Sequence, residues 1–100
     1  MTEAFMTRPV PLGDAREHLI LIRRMARATG ADPQAAAADD RLGQEDWADA
    51  VTRCRGCDWV GGCRRWLDAR DREDGGHGVA TPPEGCANRT LMAALRLPEA

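Results

Sequence analysis

The chain is 100 residues long, 43% hydrophobic, with a net charge of −2; it is sized for one small domain, and its charge gives no global attraction to nucleic acid. Much of the apolar fraction is alanine, and with three Trp, one Phe and no Tyr the core is thin enough for a metal or covalent staple to matter. No stretch is long and apolar enough to span a membrane.

The opening MTEAFMTRPVPLGD carries Glu3, Pro9 and Pro11 where a secretory leader needs an unbroken apolar run. Residues 1–12 are therefore expected to be a flexible N-terminus and the protein cytoplasmic, with its cysteines reduced. Asp14, with Glu17 three residues on, resembles a capping box, and Ala15, Leu19, Ile22 and Ala26 recur at helical spacing until Gly30 stops the helix. Arg16, Arg23 and Arg27 form its wet face. Asp32-Pro33 starts a second, brief helix over the alanine run 35–38. A third helix is predicted over 44–53, with Trp47, Val51 and Cys54 on one face, so that the first cysteine turns to the core and Trp47 packs near it.

Gly61-Gly62 permits a tight turn, and the next helix is predicted to open at Cys63. Residues 71–85 have the charged, glycine- and proline-rich composition of a surface loop. Cys86 closes it, and Asn88 caps a last helix carrying Leu91, Met92, Leu95 and Leu97 before Pro98. Nowhere do β-branched residues alternate as in a strand. The expectation is one all-α domain over 1–100, a small bundle of four or five short helices tied around a four-cysteine centre.

Cys54, Cys57, Cys63 and Cys86 form the pattern C-x2-C-x5-C-x22-C, which reads as a four-thiolate metal or iron–sulfur site. Structural zinc sites usually pair two short hooks; one hook with two single cysteines favours a [4Fe-4S] cluster, with Zn2+ as the alternative and thiol or disulfide chemistry third. Cys57 and Cys63 are expected to gain thiolate stabilisation from free backbone N–H groups. Arg53, Arg55, Arg64, Arg65 and Arg89, each within three residues of a cysteine, either compensate thiolate charge or form solvated helix faces. Trp59 and Trp66 either shield the site or fill the core.

The remaining candidates are weaker. A thioredoxin-like role for Cys54 and Cys57 needs a strand-turn-helix context that is missing, and Asp58 after Cys57 rules out the covalent haem motif. His77 lies between glycines as a solvent-exposed residue, and His18 reads as a satisfied or surface residue of the first helix. Asp39-Asp40 and the acidic run 71–74 read as solvated ends. Four cysteines saturating one centre leave no open coordination position, so no catalytic residue is assigned and no enzyme expected.

The segment CRGCDWVGGCRRWL is similar to the clustered cysteines of the WhiB-like iron–sulfur regulators, which implies [4Fe-4S] ligation through four cysteines. In that family the fourth cysteine lies upstream of the hook, whereas Cys86 lies downstream, and no basic C-terminal tail for DNA is present here. Over nearly its whole length, in LIRRMARATG, TRCRGC, CRRWL and PPEGCAN, the chain resembles a family of short bacterial proteins of unknown function.

The expected function is a small [4Fe-4S] protein in redox sensing or electron transfer, with a protein partner; the alternative is a structural zinc module mediating protein–protein interaction. Since ligation would be linked to folding, the metal-free chain is expected to be largely unfolded or molten.

Overall fold

The computed structural model describes residues 12–96. The expected flexible terminus, apart from Leu12, and the expected helix end at Leu97 and Pro98 lie outside the described residues. Five helices follow in order: α1 (Ala15–Ala28), α2 (Pro33–Ala38), α3 (Gln44–Arg55), α4 (Val60–Asp74) and α5 (Arg89–Ala94). Among the described residues there is no strand, only an isolated antiparallel bridge between Ala31 and Arg96. The fold is all-α.

Local chemistry accounts for most of the helix ends. The Asp14 side chain accepts the Arg16 N–H at 3.0 Å, capping α1. Glu17 does not complete a capping box; it pairs instead with Arg64 of α4. Gly30, at φ +76°, takes the left-handed position beyond α1, and Ala31 N–H reaches back to Ala26 O at 2.9 Å, the long bond of a Schellman end. Asp32 caps α2 through the Ala35 N–H at 2.9 Å. Asp46 accepts the Gly43 N–H at the start of α3, at 3.1 Å.

α1 packs against α3 and α4 around Leu21, Ile22, Met25, Ala50, Leu67, Met92 and Leu95. The buried stripe of α1 is His18, Leu21, Ile22, Met25, Ala26 and Ala28, rotated from the predicted one: Ala15 is exposed and Leu19 only half-buried. Two partners drive this rotation, since α1 must cover α3 and α4 together. The wet face of Arg16, Arg23 and Arg27 is exposed as expected, while Arg24 bridges to Asp68 at 3.1 Å and Asp71 at 2.8 Å on α4.

Two expectations are corrected in the second half. α4 starts at Val60, not Cys63, so Gly61 and Gly62 lie inside its first turn. Gly62 is required by close approach: a Cβ there would overlap the Trp59 ring. α4 also runs through 71–74 and ends at the left-handed Gly75, so the charged run predicted as loop is helical, with Arg70 paired to Glu73 at 2.7 Å.

The loop after α4 is tied down. Gly78 N–H donates to Arg27 O and Ala80 N–H to Ala28 O, both at 3.1 Å, which satisfies carbonyls at the end of α1. Arg96 donates to Val79 O at 2.9 Å, and Pro82 is buried.

Candidate metal centre

The hook begins at the end of α3, where Cys54 follows the fully buried Ala50 by one helical turn. The chain then turns, with Cys57 N–H on Cys54 O at 3.2 Å, bringing Cys57 back beside Cys54. Cys63 comes from the second turn of α4. Cys86 comes from the segment before α5, where its N–H closes a turn on Pro83 O at 3.0 Å.

All four cysteines, free and half-buried, line one cavity whose remaining wall is mostly apolar, from Leu21, Ile22, Met25, Val60 and Met92, with His18 and Asn88 as its polar members. Its volume open to a water-sized sphere is about 20 Å³, and the empty cleft counted out to open solvent about 390 Å³. Among the described residues no three His, Cys, Asp or Glu side chains are arranged, as they stand, to hold a metal ion.

Electrostatics follow from this placement. Burial, then the proximity of Cys63, Cys86 and Cys57, pushes the Cys54 thiol up to about 12. Burial, then Cys86 and Cys57, push Cys63 up to about 11, against the pull of Arg24 and Arg64. Cys86 is raised by burial, offset in part by the Asn88 backbone N–H and Arg89. Burial thus favours the thiol form at Cys54, Cys63 and Cys86 in the chain by itself, and a bound cation or cationic cluster would take up the charge of their thiolates. The donor set, four thiols in an apolar hollow, suits such a group.

The predicted role of backbone N–H groups divides. Cys57 receives the Trp59 N–H at 3.4 Å. Cys63 lies past the free N–H groups of α4, because its own N–H bonds Trp59 O at 2.8 Å.

The arginines are drawn largely into structure: Arg53 donates to Asn88 Oδ1 at 2.7 Å, Arg55 to Gly13 O at 2.8 Å and Arg89 to Glu84 O at 2.8 Å, while Arg65 is exposed. Trp59 fills the space between Gly62 and Gly85, where either Cβ would overlap its ring. Trp66 packs on the core beneath Arg70, 5.7 Å from its ring centroid. Trp47 is not near the sulfurs; it lines a separate groove with Leu42, Arg23 and Arg27, because that face of α3 turns toward α2. His77 is exposed, as expected.

Two residues escaped the sequence reading. His18 is 4% exposed, lines the cavity, and places Nδ1 3.6 Å from Cys54 Sγ. Its signal was the stripe it shares with Leu21, Ile22 and Met25 at helical spacing. Asn88, expected as a cap, makes no side-chain cap bond. Its buried amide donates to Ala50 O at 2.8 Å and accepts from Arg53, clamping the Cys86 segment to α3.

Fold and gathered thiols together define a small all-α domain built around a four-cysteine cavity. The chain belongs to a family of unknown function (DUF6455), whose family model matches residues 10–97. No match was found among curated proteins or among solved structures.

Proposed function

We propose that this protein holds a [4Fe-4S] cluster through Cys54, Cys57, Cys63 and Cys86 and acts in redox sensing or electron transfer, in the cytoplasm and with a protein partner. The observation that carries this reading is the convergence of all four cysteines, from three separate parts of the chain, on one apolar cavity. The dozen-residue likeness of CRGCDWVGGCRRWL to the WhiB-like proteins supports the same ligation. Bound there, a cluster would supply one-electron chemistry. The chain's own part is to place the sulfurs, line them with Leu21, Ile22 and Met25 against water, and set Arg24, Arg64 and Arg89 near them.

The second reading, a structural zinc module that binds another protein, is favoured by one observation: the water-accessible space in the hollow, about 20 Å³, is the size of an ion or a water. Among the described residues no helix is long and apolar enough to cross a membrane, and nothing in either reading calls for nucleic acid.

Iron, acid-labile sulfide and zinc per chain, with a visible spectrum of protein purified without oxygen, separate the readings. About four irons and four sulfides with brown colour are expected for the cubane site. One zinc and no colour would establish the module instead, and no metal would sink both. Cys86→Ser is expected to abolish the chromophore; a fully loaded variant would take Cys86 out of the ligand set.

A further inference from the structure

His18 is a buried polar side chain that the ligand set does not use. Its ring is held in place by the segment before α1. Gly13 N–H donates to Arg55 O at 2.9 Å, Arg55 Nε donates to Gly13 O at 2.8 Å, and Gly13 lies so close over His18 that a Cβ there would overlap the ring. Thus fixed, Nδ1 faces Cys54 Sγ at 3.6 Å.

The four sulfurs differ in what offsets their charge. Cys57 receives the Trp59 N–H, Cys63 lies in the field of Arg24 and Arg64, and Cys86 has the Asn88 N–H and Arg89. Cys54 has neither a backbone donor nor a cation acting in its favour among the described residues; what faces it is the His18 ring and, at 3.5 Å, the His18 carbonyl. A thiol at Cys54 can donate to that carbonyl. A thiolate cannot, and needs a donor of its own.

We propose that His18 is a positioning residue of the centre, whose Nδ1–H donates to the Cys54 sulfur in its metal-bound, thiolate form and thereby raises the reduction potential of the bound cluster. This rests on the reading of the four cysteines as cluster ligands. One-electron reduction, the electron coming from an external reductant, adds negative charge that is shared by the sulfurs. A hydrogen bond to sulfur strengthens with that charge, so it stabilises the reduced state more than the oxidised one.

The test compares wild type, His18→Asn and His18→Leu, purified without oxygen, by iron and sulfide content first and then by midpoint potential in a dithionite titration with mediator dyes. Asparagine keeps an N–H near the Nδ1 position, and leucine keeps only the bulk. The expected result is a loaded His18→Leu variant whose reduced state is about tenfold less favoured, a fall of about 59 mV for a one-electron couple, with His18→Asn close to wild type. An unchanged potential in His18→Leu, or an equal fall in both variants, overturns the donor role. Should His18→Leu lose its cluster, a loaded His18→Asn at near-wild-type potential upholds the proposal, and loss in both overturns it. Wild type without iron overturns the cluster reading itself, and this proposal with it, at the content stage before any potential is measured.

Discussion

Cys54 illustrates how position changes a side chain's chemistry. A thiol ordinarily titrates near 9.0, and burial with neighbouring sulfurs pushes Cys54 up to about 12 and Cys63 to about 11. Between those values the metal-free folded chain keeps protons that the unfolded chain has lost, so stability falls as pH rises. The contribution of the protonated thiols is complete below pH 9 and disappears through pH 11–12. Under conditions where the metal-free chain keeps a cooperative transition, its urea midpoint is therefore expected to drop between pH 9 and pH 11, and Cys54→Ser to flatten that drop; a midpoint independent of pH across this range would contradict the buried placement. The glycines around Trp59 make a second case. Gly62→Ala or Gly85→Ala forces a Cβ into the indole ring, and each is expected to cost about 1–3 kcal/mol by overpacking in urea unfolding.

At the scale of elements, the Cys86 segment depends on one amide. Asn88 holds it to α3 through Ala50 O and Arg53, so Asn88→Ala removes both clamping hydrogen bonds, while Ala50 O keeps its partner within the helix, at a cost of about 1–3 kcal/mol. The same change releases Cys86, and metal retained per chain after dialysis is expected to fall, whereas an exposed substitution such as Arg72→Ala should leave it unchanged. Leu67 is the buried anchor of α4, 1% exposed, and Leu67→Ala is expected to cost about 2–5 kcal/mol through the cavity it leaves. Elements also show where the sequence was legible. Asp14, Gly30 and Asp32-Pro33 act within a turn of their own helix, and each marked a boundary correctly. The start of α4 was not legible, because Gly61-Gly62 reads as a turn locally. The clearance that Trp59 needs over Gly62 and Gly85 depends on a segment more than twenty residues away.

For the whole molecule, the centre lies where α1, α3, α4 and the Cys86 segment meet, and among the described residues the fully buried large side chains number few: Ile22, Leu67 and Met92 beside Thr29. A ligand that ties those elements together stabilises the folded state by its binding free energy. Metal removal is accordingly expected to lower the thermal midpoint sharply, or to abolish the cooperative transition. A chelated, metal-free sample melting at the temperature of the loaded protein would show that the helices hold without it.

The sequence by itself determined the all-α class, most of the helix boundaries and the identity of the four thiols, because capping, glycine termination and hook spacing are interactions within a few residues. It did not determine which side chains meet those thiols. His18 reaches Cys54 across 36 positions and Asn88 reaches Ala50 across 38, while Trp47, on the predicted face of α3, was drawn to another groove. Such contacts follow from the angle and rotation at which helices pack, and these are set by the sum of apolar contacts over the whole core.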